Sequence, residues 1–313
     1  MAWVERGVSG AGVGSQGMGS RGVSTPVATG IPASYTGLIT GKHEDILGQG
    51  LNHINRSTGY EYDSSGRLAS ALVPDKILST YYYDARGNLT YSSVQDRQTY
   101  ATDVTEYTYS GDLIYSATHN DTTCYFSHNS LGGVTYDGLS KRVIQYSYIG
   151  FPAKILDENY TVLAEYCYLA DGTKLSAERA DGTGFVYRGS LKYTLGSGGA
   201  ITLLGAEIPA GLLTPGGSRY RVTDHLGSVV YELNAAGGTL ADGGLYDAWG
   251  VRSGIAGSAA SPTSLHHFTG QEDQAPGLGV PYTDFGARNY SPALGRWLTP
   301  DPLSEKYYGI SPY

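Results

Sequence analysis

Charge is scarce in this chain. Of its 313 residues only 16% are Asp, Glu, Lys or Arg, against about 25% in a typical soluble domain. Acids outnumber bases 29 to 21, a net charge of −8. No cluster of Lys and Arg relieves that deficit, which argues against a nucleic-acid partner, because such a surface needs bases to displace counterions. Cysteine is scarcer still: Cys124 and Cys167 are the only two, too few for a disulfide framework, and both are expected as free thiols. Long apolar runs are missing as well. The most apolar region, 200–213, is broken by Thr202, Gly205, Glu207, Pro209 and Gly211, so it is too short and too interrupted to span a membrane. Nor is a targeting signal visible, since Met1-Ala-Trp-Val-Glu-Arg6 sets an acid and a base where a signal peptide needs apolar residues.

What the chain does have is glycine, 45 residues, and tyrosine, 28, beside only Phe 5, Met 2 and Trp 3. The glycines follow no three-residue period, which excludes collagen, and Gly with Tyr at this density is poor material for a coiled coil. Residues 1–40 alternate Gly with Ser, Val and Ala, and cannot bury enough apolar surface to offset their backbone entropy. They read as a flexible arm. The nominal G-x-G-x-x-G at Gly12, Gly14 and Gly17 has neither a strand before it nor a helix after it, so it is not a dinucleotide site.

A repeat decides the fold class. Tyr60-Glu-Tyr62-Asp63-Ser-Ser-Gly66-Arg67-Leu68 returns as Tyr81-Tyr-Tyr83-Asp84-Ala-Arg-Gly87-Asn88-Leu89. Softer copies follow at Phe126–Val134, Tyr107–Leu113, Tyr146–Pro152 and Glu165–Tyr168, and the Asp-x-x-Gly core persists in Asp224-His225-Leu226-Gly227 and Tyr246-Asp247-Ala248-Trp249-Gly250. Tyrosines two apart point to one face of a strand. Aspartate opens a tight turn, and the glycine three residues on supplies the positive φ of a type I turn with a bulge. One repeat is therefore one β-hairpin, in a chain rich in Thr, Ser, Val and Ile. The last helix-like segment is Lys42–Leu47; beyond it the expected fold is all β. About ten hairpins at ~4.8 Å per strand make a sheet roughly 100 Å across, which must curl, since open twisted sheets rarely exceed about ten strands. The expected architecture is a long curled strip with two unpaired edges, hence a tendency to self-associate.

These repeats resemble the tyrosine-aspartate (YD) repeats of the RHS protein family. The resemblance covers about 60–313 and is densest near the end. There Tyr220-Arg-Val-Thr-Asp224-His225-Leu226-Gly227-Ser228 and Tyr246-Asp247-Ala248-Trp249-Gly250 are followed by Phe268-Thr-Gly-Gln-Glu272. Tyr282-Thr-Asp284-Phe285-Gly286-Ala287-Arg288-Asn289-Tyr290 and Leu294-Gly295-Arg296-Trp297-Leu298-Thr-Pro300-Asp301-Pro302 complete what resembles the family's core-associated signature. The resemblance divides the chain into an arm (1–40), hairpin repeats (41–219) and a core-associated segment (220–313). It implies a hollow shell of hairpins, secreted or on the cell surface of bacteria. In polymorphic toxins that shell holds a variable C-terminal toxin; in other members carbohydrate binding has been proposed.

The resemblance also implies self-cleavage after the core signature by two Asp-Pro aspartates. Here Asp301-Pro302 supplies one, and the second would lie beyond Tyr313. An aspartyl site needs two carboxylates with separated pKa values, so Asp301 is expected to be structural. The chain then reads as a shell or carrier fragment whose partner is the missing toxin or the remainder of a longer RHS protein. Surface glycan binding and a half-complete autoprotease are the alternatives. No catalytic residue, cofactor or metal is expected: His43, His53, His119, His128 and His225 lack ligand spacing, and His266 and His267 face opposite sides of a strand. Arg288 and Arg296 are expected to pair with Asp284 and Asp301.

Overall fold

In the computed structural model, which describes residues 3–7, 38–47, 53–255, 263–306 and 311–313, each Asp-x-x-Gly phrase closes one hairpin. The Asp63 carboxylate accepts the amides of Ser65 and Arg67, both at 2.9 Å, and Asp84 accepts those of Arg86 and Asn88. Gly66 and Gly87 then take φ of +77° and +92°, a conformation that a Cβ would strain. The ladder shifts register just before each aspartate, between Glu61 and Tyr62 and between Tyr82 and Tyr83. That is a type I turn closed by a glycine bulge. Asn129, Asp157, Asp224 and Asp247 make the same pair of amide contacts, so the softened copies keep the turn.

Several hairpins are also tied to an earlier strand. The tyrosine just before the turn donates its hydroxyl to the carbonyl of a residue that resumes a strand beyond the preceding turn. Tyr83 reaches Leu68, Tyr109 reaches Leu89, Tyr146 reaches Val134 and Tyr246 reaches Val229, all at 2.7–2.8 Å. Tyr62 makes the equivalent bond to Ile39. A Tyr83→Phe variant is expected to lose about 1 kcal/mol, since a half-buried carbonyl loses its donor. Tyr82→Phe, on the exposed face at 60% exposure, is expected to change urea stability by less than about 0.5 kcal/mol.

Hairpin follows hairpin without a crossover. Twenty-two strands, from Trp3–Gly7 to Arg252–Gly254, form one antiparallel sheet, and each strand pairs with its neighbours in sequence. Among the described residues no ladder joins its two ends. The strip is open, but it curls. Lys42 near its start reaches Asp224 at 3.3 Å, and the Tyr81 ring meets Trp249 edge-on at 5.4 Å.

Residues 263–306 and 311–313 fill the concave face. They carry a second, four-stranded sheet, Glu272–Asp273, Thr283–Asp284, Asn289–Ser291 and Arg296–Trp297. They also carry the only α-helix among the described residues, Ala275–Leu278. The core lies between the two sheets. Tyr81, Tyr107, Ile114, Phe126, Ile144, Ile155, Tyr166 and Phe185 of the strip pack with Leu265, Leu278, Val280, Tyr282, Leu294 and Leu298 of the C-terminal segment.

One local expectation is corrected. Lys42–Leu47 is not helical but part of the strand Gly41–Leu47. It pairs on both sides, and Lys42 and Glu44, two residues apart, bridge at 2.9 Å on one face while Glu44 also holds Arg56. Ladder pairing here overrides a weak local preference. Within the expected arm, Trp3–Gly7 forms a strand and Ile39 accepts from Tyr62; residues 8–37 lie outside the described residues. Cys124 and Cys167 are free.

Candidate functional site in the docked C-terminal segment

Where the C-terminal segment meets the strip, a chain so poor in charge concentrates it. Lys174, at the start of Lys174–Glu178, reaches Asp284 at 2.6 Å and Glu272 at 3.3 Å. Glu272 also accepts the Tyr187 hydroxyl at 2.7 Å and faces Lys192 at 3.4 Å. Lys192 continues to Glu207 at 3.7 Å, which holds His266 at 3.3 Å and Arg221 at 2.7 Å. Arg221 and Arg219 pass the line to Glu232, fully buried, which also accepts from the Ser264 hydroxyl. Signs alternate along the line, and neighbouring strip strands and the docked segment share it.

A second cluster lies beside it. His267, 2% exposed, is held between Asp242 at 3.0 Å and Asp273 at 2.8 Å, and Asp242 also takes Arg252 at 2.8 Å. Both imidazole nitrogens are engaged, so His267 is an anchor and not a free base.

Burial and pairing compete at these groups. Burial alone would raise Glu207, but the hydrogen bonds and charges of His266 and Arg221 outweigh it and bring it from the usual 4.5 to about 2. Burial likewise opposes ionisation of Asp242, and His267 and Arg252 still hold it far below the carboxylate range. Burial would lower His267, yet bonds to Asp242 and Asp273 raise it above 6.5. For Glu272, Lys174 and Lys192 overcome burial and keep the carboxylate ionised.

The motif residues fall into three groups. Tyr60, Tyr62, Asp63, Gly66, Tyr81, Tyr83, Asp84 and Gly87 build two successive hairpins of the strip. Asp224, His225, Gly227, Tyr246, Asp247 and Gly250 form the turns against which the C-terminal segment lies. Gly227 and Gly250 have φ of +86° and +89°, and a Cβ on Gly250 would stand 2.5 Å from Phe268. Gly286, Arg288, Tyr290, Gly295, Arg296, Trp297, Asp301 and Pro302 belong to the docked segment. Its Tyr290 hydroxyl donates to the Trp249 carbonyl at 2.9 Å, and Gly295 sits against the Trp249 ring.

Arg288 lies over the Trp297 ring at 4.2 Å and pairs with Asp301 at 2.8 Å. The other expected arginine pair does not form. Asp284 takes Lys174, while Arg296 donates to the Asp112 carbonyl at 2.9 Å and stacks on Tyr109 and Tyr313. Both Asp301 oxygens have structural partners, Oδ2 the Arg288 guanidinium and Oδ1 the Leu303 amide. Some exposed tyrosines stack across strands, Tyr82 with Tyr91 at 5.2 Å and Tyr115 with Tyr125 at 5.7 Å.

Sequence reasoning missed Lys174, Lys192, Glu207, Glu232 and Asp242, and read Glu272 only as part of the Phe268–Glu272 phrase. A signal existed: Leu191-Lys-Tyr-Thr-Leu195 and Val229-Val-Tyr-Glu-Leu233 each place a lone charge inside a strand of a charge-poor chain.

No family model matches this chain, and no curated protein matches it. Solved structures do share its fold. The crystal structure of TcdB2-TccC3 aligns over 88% of this chain with a TM-score of 0.58 and 16% identity. TcdB2-TccC3-Cdc42 aligns over 85% with a TM-score of 0.54 and 18% identity. TcdB2-TccC3 without its hypervariable C-terminal region aligns over 86% at 0.55 and 16%. The chain spans about one sixth of the length of those chains, 16–17%. The fold is an RHS-like all-β strip.

Proposed function

We propose that this chain is a structural wall-and-cap element of an RHS-type shell, part of a larger secreted bacterial toxin assembly, with no toxin activity of its own. The observation that carries this reading is the open 22-stranded strip wound around its own C-terminal segment. Among the described residues that arrangement has unpaired strand edges that can continue a wall, and a filled concave face that can close one end of it. The likeness to TcdB2-TccC3 supports the same coarse role.

Lys174, Lys192, Glu207 and Asp242 of the strip each pair with a group of the docked segment, as a cap requires. The cargo and the remainder of the wall would come from a longer RHS protein.

Sedimentation of the purified chain tests the reading. Two open edges predict association that grows with protein concentration. A strict monomer at all concentrations would mean that the edges do not pair with further strands, and the wall reading would fall.

A further inference from the structure

We propose that Lys174 and Asp284 condense to an intramolecular amide, a covalent cross-link between the curled strip and the docked C-terminal segment, with Glu272 carrying the proton. The Lys174 Nζ lies 2.6 Å from the Asp284 Oδ2. Glu272 stands directly opposite Asp284 in the small sheet, with its Oε1 3.3 Å from the same nitrogen. The three side chains are only 13%, 11% and 10% exposed. The Tyr187 ring covers the nitrogen at 4.5 Å, and Tyr166 and Tyr168 are close enough to feel its charge. A lysine, a carboxyl and a second carboxylate thus share one dry pocket.

Two features of the site favour the reaction. Lys174 bridges the two facing carboxylates, so its nitrogen touches both the group it would attack and the group that would take its proton. A buried site also narrows the gap between the ion pair and the neutral amine–carboxylic acid pair, because each charge loses its water. Lys192, 3.4 Å from Glu272 on its far side, keeps Glu272 ionised and ready to accept a proton. Holding the two reacting groups in contact supplies the entropic part of the barrier.

The step balances without an outside reagent. The Lys174 ammonium gives one proton to Asp284, leaving an amine and a carboxylic acid. The amine lone pair attacks Cγ of Asp284. Glu272 takes a second proton from the nitrogen and passes it to the departing hydroxyl. The C–N bond forms, the C–O bond breaks, one water leaves, and Glu272 ends as it began. No oxidation state changes. The tyrosines that exclude water then protect the amide from hydrolysis.

Intact-mass measurement on the folded full chain, fresh and after prolonged incubation, tests this. The expected mass is lower by one water molecule, and digestion yields a branched peptide joining the Lys174 and Asp284 fragments. Glu272→Gln, with an unchanged circular dichroism spectrum, is expected to keep the full mass. Asp284→Asn is expected to cross-link with loss of ammonia in place of water. A folded wild-type chain that retains its full mass would overturn the proposal. So would a water loss that persists in Lys174→Arg, since it would arise elsewhere in the chain.

Discussion

Asp242→Ala is expected to lose about 3–5 kcal/mol of unfolding free energy, the loss typical when one partner of a buried ion pair is removed. Asp242 is 2% exposed on the strand Leu240–Tyr246. Its oxygens hold Arg252 at 2.8 Å and His267 at 3.0 Å. Without it, a partly buried guanidinium and a buried imidazole are left short of partners, and His267 keeps only Asp273 as a carboxylate. Because the His267 carbonyl also accepts the Val229 amide at 2.9 Å, its loosening frees the docked segment from the strip. Urea titration should show the loss, and hydrogen exchange should show the amides of 264–273 opening first. Asp242→Asn, which keeps the shape, should lose less. A loss below about 1 kcal/mol for Asp242→Ala would mean that this contact does not hold the segment down.

Acid is the second large effect. Glu207 is held near 2 in the folded chain against its usual 4.5, and each pKa step is worth about 1.4 kcal/mol, so this group alone contributes about 3 kcal/mol. A depressed carboxylate stabilises the fold above its unfolded pKa and loses that contribution as pH falls through the folded value. The window therefore runs from about 4.5 down to about 2, and Asp242, also depressed, loses its contribution in the same direction. His267 runs the other way. Its raised pKa gives stability that is full below 6.5 and lost as pH rises through the folded value. Thermal unfolding across pH should therefore show a plateau between about 4.5 and 6.5, a steep acid limb and a shallower alkaline one. Glu207→Gln should flatten the acid limb; an unchanged limb would show that Glu207 is not paired in solution.

How much of this was legible in the sequence follows the range of the interactions. The hairpin unit was readable because its parts are near neighbours. Asp63 bonds amides two and four residues ahead, and Gly66 takes its positive φ in the same turn. The tyrosine stripe was readable as packing, but not the target of each hydroxyl. Tyr83 reaches Leu68 across fifteen residues, a distance set by the length of each intervening hairpin. Lys42–Leu47 misled because its helix-like composition is weaker than two flanking ladders. The Arg288–Asp301 pair was anticipated. Arg296 went to the Asp112 carbonyl instead, 184 residues away in sequence.

The sequence by itself determined the strip: turn residues at fixed offsets and strand-forming residues between them specify hairpin after hairpin, since every contact involved is local. Only the tertiary structure decided that residues 263–306 lie within the curl, and that Lys174, Lys192, Glu207 and Asp242 meet Glu272, Asp284, His266 and His267 there. Those partners are brought together by the accumulated twist and curl of 22 strands. No short stretch of sequence encodes that sum, because each strand adds only a small rotation.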